Sequence, residues 1–370
     1  MDSWTDFNRR TNLGRWRAFV RSIAILYRLY TVKRALNYVT NLVEYRRRKI
    51  RLRSFPPKAI FDLASVCNLR CPLCATGAGI LKQRQMFMSF ELFSRTFPQM
   101  ADRVLFVNLY NWGESFLNPD IFSIIDEVHA SGALSHVHSN LNLKPGIVDQ
   151  IAESNLTTLV LSVDGARDET YEAYRQKGDF QLVLGNMRRL MKRRRELGKR
   201  FPEVIWKYIV HKKNEDDIDA ALELAKDVGV DKLQLTPIWA DLQPGAPDPR
   251  QDEWAAEWIP VKRTEFAFET RKNPLFEQTC PFLWKDPVIN ADGSVAPCCF
   301  VKDAKHNFGD LNTHTFEEIW NNDLYRYSRS LFTTEEYDGP PVQSVCDQCT
   351  LYRQIDQPKL PMPTPEVESA

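Results

Sequence analysis

The sequence lacks any run approaching the ~20 consecutive apolar residues that a membrane-spanning helix needs. It also lacks a secretory signal, because its start, Met-Asp-Ser-Trp, is not basic and the apolar stretch that follows is interrupted by Arg21 and Arg28. Disorder is expected only after Gln357, since 43% of the residues are apolar and 26% are charged, as in ordinary globular proteins. We therefore expect a folded protein in the cytoplasm.

Net charge is also nearly absent from the chain as a whole, but it is unevenly distributed. The 370 residues contain 49 Lys and Arg against 48 Asp and Glu, a formal net charge of +1. Residues 1–53 hold 14 of the basic residues and three acids (Asp2, Asp6 and Glu44), which leaves +11 there and −10 (35 basic, 45 acidic) in the remainder. Such a split indicates a basic arm with an anionic partner.

The basic segment, residues 14–53, has the spacing of an amphipathic helix. Its apolar residues recur every three or four positions and form a stripe of Trp16, Val20, Ile23, Tyr27, Tyr30, Val32, Leu36, Val39 and Val43. The stripe either packs on the rest of the protein, as most amphipathic helices do, or lies on an anionic membrane. Binding to nucleic acid through phosphates is a third interpretation. We do not expect it, because no nucleic-acid-binding module accompanies the segment.

From residue 59 onward, short β-rich runs alternate with amphipathic helical segments. The runs are Ala59–Ser65, Val104–Asn111, His136–Asn140, Thr158–Val163, Val204–Val210 and Lys232–Pro237. The helical segments between them include 121–130, 147–154, 169–197 and 216–227. This alternation predicts an α/β fold with a parallel sheet built from right-handed crossovers. Six such units predict a partial (β/α)6 TIM-like barrel that binds ligands at the carboxyl ends of its strands.

Eight cysteines lie mostly in tight groups, and in a reducing cytoplasm such groups more often bind metal than form disulfides. Cys67-Asn-Leu-Arg-Cys71-Pro-Leu-Cys74 directly follows the first predicted strand. Three thiolates at spacings of four and three can bind one face of a cubic iron–sulfur cluster and leave the fourth iron open. A structural zinc site needs a fourth Cys or His, and none follows Cys74 closely.

This triad resembles the signature of the radical S-adenosylmethionine (SAM) superfamily. The resemblance implies a [4Fe-4S] cluster whose open iron binds SAM, and an external electron donor of the flavodoxin or ferredoxin type. It further implies reductive cleavage of SAM to a 5′-deoxyadenosyl radical, which abstracts hydrogen from a substrate. The family usually has an aromatic residue before the third cysteine, whereas this chain has Leu73, which still offers an apolar contact for adenine.

Other segments match the family in order, each after a predicted strand. Gly113-Glu114 resembles the motif that contacts the methionine amino group, since glycine allows close backbone approach and a carboxylate accepts hydrogen bonds from an ammonium. Tyr174-Arg175 matches an arginine that pairs with the methionine carboxylate. The family's usual Gly and Pro beside the first motif are Trp112 and Ser115 here. The resemblance thus implies SAM contacts by Leu73, Gly113, Glu114, Asn140, Ser162 and Arg175.

A second cysteine group lies near the C-terminus, beside a hairpin predicted at Asp292-Gly293. It resembles the cluster-binding extension called SPASM or, in its short form, twitch. The resemblance implies one auxiliary [4Fe-4S] cluster, and a zinc ribbon is the alternative. Cys299 is left over as an alternative ligand, a catalytic thiol or a small buried side chain. The implied ligands are Cys280, Cys298, Cys346 and Cys349.

These features predict four regions and an enzymatic function. The regions are a basic helical extension (1–57), the barrel (58–240), the auxiliary cluster domain (241–357) and a flexible tail (358–370). We expect oxidation of a carbohydrate or lipid-linked substrate, because the first 55 residues show no strand pair of a peptide-binding winged helix. A peptide- or protein-modifying maturase is the alternative, and a zinc-stabilised RNA- or membrane-binding protein is the alternative from another class. His136 and His138 share one face of a strand, and we interpret them as ordinary barrel residues.

Overall fold

Six parallel strands form a partial barrel at the centre of the protein, as the alternation of strands and helices predicts. The computed structural model describes residues 31–238, 257–266, 279–349 and 352. The predicted helix before residue 31, most of 239–278 and the tail 358–370 lie outside the described residues. The strands are β1 (Lys58–Phe61), β2 (Phe106–Asn108), β3 (Leu134–Ser139), β4 (Thr158–Ser162), β5 (Glu203–Val210) and β6 (Lys232–Pro237). Each pairs in parallel with its neighbours in chain order.

Helices cover the outside of the barrel and follow the strands in turn. They are α1 (Val32–Arg46), α2 (Phe90–Thr96), α3 (Ile121–Ser131), α4 (Pro145–Glu153), α5 (Asp168–Tyr174), α6 (Phe180–Glu196) and α7 (Ile218–Val228). The predicted helical segment 169–197 is therefore two helices. The chain turns between α5 and α6, where Lys177 has a φ of +67°, and Asp179 caps α6 by accepting a hydrogen bond from Leu182 N. None of the helices in the described part of the chain is long and apolar enough to span a membrane.

Alternation along β5 shows how the strands divide the core from the barrel interior. Val204, Trp206, Tyr208 and Val210 are buried against the helices. The alternate positions, Glu203, Ile205, Lys207 and Ile209, are only partly buried and lie on the opposite face of the strand. The incomplete burial of this face leaves room for a ligand inside the barrel.

The C-terminal segment adds strands to the barrel sheet. β7 (Val288–Ile289) pairs in parallel with β1, and β8 (Ser294–Ala296) and β9 (Gly309–Asp310) continue the sheet in antiparallel fashion. The predicted hairpin is confirmed: Gly293, with φ +90°, makes the turn between β7 and β8. Short helices complete this segment, namely α8 (Phe282–Lys285), α9 (Phe316–Trp320) and α10 (Asp323–Ser330).

Helix α1 packs with its polar side inward, contrary to the expectation that its apolar stripe faces the protein core. Arg34 Nη2 donates to the carbonyl oxygens of Ala101 and Ser131, both at 2.7 Å. Asn37 Oδ1 accepts from Phe55 N at 2.8 Å, and its Nδ2 donates to Phe55 O at 3.1 Å. These segments precede strands β1, β2 and β3, so α1 crosses the N-terminal end of the barrel.

Two further side chains fasten α1 near its C-terminus. Asn41 Nδ2 donates to Ser54 Oγ at 3.1 Å and to Trp284 O at 2.8 Å. The buried Glu44 carboxylate accepts hydrogen bonds from the backbone amides of Arg53 and Ser54 and from the Ser54 hydroxyl. Hydrogen bonds therefore replace apolar contacts as the main attachment of this helix.

We predict that Asn41→Ala lowers the free energy of unfolding by about 1–3 kcal/mol, because it leaves the buried Trp284 carbonyl without a partner. Val43→Ala, on the exposed side of the same helix, should change it by about 0.5 kcal/mol or less. Chemical denaturation followed by circular dichroism compares the two variants. Equal effects would show that the polar contacts do not hold α1.

Candidate functional site

The three cysteines of the first group lie in the loop that follows β1. A Cβ atom at Gly113 would come within 2.0 Å of Ala64 O and 2.2 Å of Val66 O, so only glycine lets the segment after β2 approach this loop. Glu114 N donates to Val66 O at 2.9 Å in the same contact. The predicted Gly-Glu motif is thus fixed against the residues directly before Cys67.

The side chain of Glu114 joins the segments that follow β2 and β3. The carboxylate, which is 2% exposed, accepts hydrogen bonds from Phe116 N at 3.2 Å and Asn140 N at 2.7 Å. Burial raises the pKa of Glu114 to about 7, partly offset by those two amides. A cation bound beside the carboxylate would favour its ionised form, and an ammonium group is such a cation.

Asn140 connects this junction with the first cysteine. Its Nδ2 donates to Asn68 Oδ1 at 2.9 Å and lies 3.7 Å from Cys67 Sγ. Burial, and then Glu114 and the neighbouring thiols, raise the pKa of Cys67 to about 11. Neighbouring thiols need a bound cation to become thiolates together, which fits ligands of an iron–sulfur cluster.

Arg175 reaches the same group of thiols from the turn after α5. Its Nε donates to Asp164 Oδ2 at 2.6 Å, and its Nη1 lies 3.6 Å from Cys71 Sγ. Asp164 also accepts from Ile209 N at 2.7 Å, so the arginine is held by a carboxylate that is itself fixed to β5. The structure therefore brings Arg175 to the triad and gives it an internal partner that the sequence did not predict.

The two remaining predicted SAM contacts, Leu73 and Ser162, differ in how near they lie to the three cysteines. Leu73 packs with Cys67 and Cys74 against an apolar cluster that contains Tyr174 and Trp258. Ser162 lies further inside the barrel, at the end of β4, where it pairs in register with Lys207. Leu73, Asn140 and Arg175 thus surround the thiols directly.

Several buried polar atoms beside the triad have no hydrogen-bond partner among the described residues. They are Nε1 of Trp112 and both ring nitrogens of His211, whose ring is tilted against Tyr174 and edge-on to Trp258, with centroids 5.4 and 5.3 Å away. Unsatisfied buried donors and acceptors are costly, so such atoms indicate a place for a polar ligand. Together with the thiols and Glu114, they fit a cluster that binds SAM through its amino-acid group.

The second cysteine group lines a cavity of about 520 Å³ beside the hairpin. Cys280 precedes α8, Cys298 follows β8, and a short 3-10 helix, Val345–Gln348, holds the last pair. Burial, and then the neighbouring thiols, raise the pKa of Cys280 and Cys298. No three His, Cys, Asp or Glu side chains of the described residues have the arrangement of a single-ion site. The thiols that line the cavity are Cys280, Cys298, Cys346 and Cys349.

Cys299 points away from that cavity, which it does not line. Burial raises its pKa to about 12, and the charges next to it are those of Asp286 and Lys58, which pair at 3.0 Å. Its charge also acts on Tyr110, which lies inside the barrel. Of two adjacent cysteines, the structure thus turns Cys298 toward the other three thiols and Cys299 toward the barrel.

Polar side chains occupy the barrel interior between the two cysteine groups. Tyr110 stacks on His138 with ring centroids 3.8 Å apart and meets His136 edge-on. Burial and the nearby Lys58 and Lys207 lower the pKa of His136 to about 4, so this ring is neutral at pH 7. His136 Nε2 is buried and has no hydrogen-bond partner in the part of the chain that the structure describes.

Lys207 contributes a positive charge to this interior. Its ammonium group forms no hydrogen bond or ion pair with another described residue, and burial lowers its pKa. The acid that acts on it, Asp164, is already paired with Arg175. An ammonium without a partner among the described residues, beside neutral histidines, makes the interior a site for an anionic or strongly polar group. The sequence offers one signal for it, a lysine at an interior-facing position of the strand EVIWKYIV.

Comparison with known proteins agrees with the two cysteine sites described above. Residues 63–225 match the radical SAM superfamily, and residues 280–350 match SPASM, an iron–sulfur cluster-binding domain. PqqA peptide cyclase of Ruegeria pomeroyi is 23% identical over 72% of this chain and 74% of its own length. Mycofactocin maturase MftC of Mycolicibacterium smegmatis is 25% identical over 55% of this chain, which spans about half (51%) of that protein.

The solved structures give the same fold. Streptococcus suis SuiB bound to precursor peptide SuiA aligns with a TM-score of 0.57 at 16% identity, over 86% of this chain and 74% of SuiB. The first matched domain binds a [4Fe-4S] cluster with SAM, and the second binds auxiliary iron–sulfur. The chain therefore belongs to the radical SAM superfamily and carries a C-terminal SPASM-type cluster-binding domain.

Proposed function

We propose that this radical SAM enzyme modifies a peptide or protein substrate inside the barrel. The observation that carries the proposal is the polar interior itself, with Tyr110, His136, His138 and Lys207, whose ammonium has no partner among the described residues. Bound SAM would supply the hydrogen-abstracting group at the triad. The side chains of the interior would hold the substrate and exclude water from it.

The relatives favour a peptide over the carbohydrate or lipid-linked substrate that the sequence led us to expect. They are named as a peptide cyclase and a maturase, and SuiB was solved with a precursor peptide. Residues 31–57 contain one helix and no strand, so a peptide would be recognised by the barrel rather than by a winged helix in that segment. An oxidative outcome and an electron donor of the flavodoxin or ferredoxin type remain parts of the proposal.

The proposal assigns roles to the residues around the triad. Cys67, Cys71 and Cys74 ligate the SAM-binding cluster, and Cys280, Cys298, Cys346 and Cys349 ligate the auxiliary cluster. Gly113 and Glu114 place a carboxylate beside the methionine ammonium, while Leu73 contacts adenine. Arg175, oriented by Asp164, neutralises the methionine carboxylate. Asn140 and Ser162 supply hydrogen bonds at the strand ends. The proposal keeps the boundaries of the four predicted regions.

The function is tested by anaerobic incubation with SAM and dithionite. We expect 5′-deoxyadenosine and methionine, in amounts that increase when peptides encoded beside the gene are added, together with a mass change in one of those peptides. A panel of hexosamines and aminocyclitols serves as the comparison. Stimulation and modification by the sugar panel alone would overturn the peptide assignment.

The cysteine assignment predicts two separable clusters. Intact reconstituted protein should contain about eight irons, and the Cys67→Ala/Cys71→Ala/Cys74→Ala variant should contain about four. Cys298→Ala should lose the auxiliary cluster, whereas the matched Cys299→Ala variant should keep both. Iron and sulfide analysis with electron paramagnetic resonance measures this. Loss of the auxiliary cluster from Cys299→Ala, with retention in Cys298→Ala, would reverse the assignment.

We predict that Arg175→Ala weakens SAM binding by about 1.5–3 kcal/mol, the contribution of a charged hydrogen bond. Arg188→Ala, which removes an exposed arginine paired with Asp227, is the control and should leave affinity unchanged. Equilibrium dialysis with labelled SAM on reconstituted protein measures both. Unchanged affinity in Arg175→Ala would mean that Asp164 and Cys71 are the only partners of this arginine.

We predict that Lys207→Met separates SAM cleavage from substrate modification. Cleavage of SAM without substrate should persist, while kcat/KM for the substrate falls about tenfold or more because a charged contact is lost. Arginine at this position should restore part of the activity. Equal losses in both reactions would instead place Lys207 in the SAM site.

A further inference from the structure

The outward side of α1 carries an apolar line that nothing in the described part of the chain covers. This outer stripe consists of Val32, Leu36, Val39 and Val43, whose exposed fractions are 77%, 63%, 56% and 42%. They are spaced by four, three and four residues, so they align along one side of the helix. Most surface helices place such a line against the core, which makes its exposure here a feature to be explained.

The orientation of the helix is fixed by its opposite side. Arg34, Asn37, Asn41 and Glu44 are buried, and each is hydrogen-bonded to the barrel or to the segment before β1. Rotating the helix to bury the outer stripe would break all of these hydrogen bonds. The exposure of the stripe is therefore a consequence of specific contacts and not of loose packing.

The charges around the outer stripe are mostly positive, although Lys33 pairs with Asp102 and Lys49 pairs with Glu335. Residues 31–53 contain eight Lys and Arg and a single acid, Glu44, which is withdrawn into hydrogen bonds with Ser54. Arg46, Arg47 and Arg51 are exposed at the end of the stripe. An aliphatic line flanked by exposed basic residues has the character of a helix that lies in the interface of an anionic membrane.

Charge also decides against two other occupants of the stripe. A second copy of the chain would bring two basic faces together around a twofold axis, and like charges repel. Residues 1–30 carry six Arg and two Asp, a net charge of +4, so folding them over the stripe would add positive charge to a positive surface. An anionic lipid surface is the occupant that complements both the apolar line and its surroundings.

We propose that the outer stripe of α1 docks the protein on anionic lipid headgroups, with the basic residues around it drawn to the same surface. This interaction is independent of the reaction that the enzyme performs, and neither tests the other. It assigns to α1 the membrane contact that the basic composition of residues 1–53 suggested, and it names the residues that insert.

The test uses the full-length protein and flotation with phosphatidylcholine vesicles, with and without phosphatidylserine. Wild-type protein should float with phosphatidylserine vesicles at low salt and be released at high salt. Leu36→Glu/Val39→Glu should lower partitioning about tenfold or more, because charged side chains replace inserted aliphatic ones. The matched control is Leu182→Glu/Val261→Glu, which changes two exposed aliphatic residues elsewhere and should bind as the wild type does.

Four outcomes would overturn the proposal. Failure of the wild type to float with phosphatidylserine vesicles at low salt would exclude a lipid surface, as would an equal loss in the control pair. A lipid-free wild-type dimer that Leu36→Glu/Val39→Glu dissociates in sedimentation equilibrium would assign the stripe to a second copy. If Leu36→Glu/Val39→Glu binds vesicles as the wild type does but has a lower thermal midpoint than the control pair, the outer stripe would be assigned to contact with residues 1–30.

Discussion

The buried carboxylate of Glu114 is the interaction on which the geometry of the site depends. It connects the loops that follow β1, β2 and β3, because its own amide bonds Val66 while its oxygens accept from Phe116 and Asn140. The contact requires glycine at position 113, since any side chain there would collide with backbone oxygen atoms. Without this junction, the loop that carries the first three cysteines would lose its connection through Glu114 to the ends of β2 and β3.

The second constraint is the pairing of β7 with β1. It makes the C-terminal segment an extension of the barrel sheet, so both cysteine groups are attached to one continuous sheet. Cys298 and Cys299 lie in the turn that follows β8 and have different surroundings there. One thiol lines the cavity with its three partners, and the other faces Asp286 and the barrel interior.

The sequence predicted those parts of the structure that local patterns determine. Alternation of strands and helices was sufficient for the six-stranded barrel, and the spacing of the cysteines was sufficient for the family. The inward side of α1 could not be predicted, because its stability comes from hydrogen bonds to residues that are distant in the sequence, such as Trp284. The choice between Cys298 and Cys299, and the pairing of Arg175 with Asp164, likewise depend on tertiary packing that adjacent residues do not encode.

Helix α1 also determines how molecules reach the interior. By crossing the N-terminal end of the barrel, where Arg34 and Asn37 bond the segments that precede the strands, it obstructs passage through that end. Among the described residues, the end where the triad lies is then the end of the barrel that α1 leaves uncovered. Where substrate and product share that end, the release of one molecule has to precede the arrival of the next.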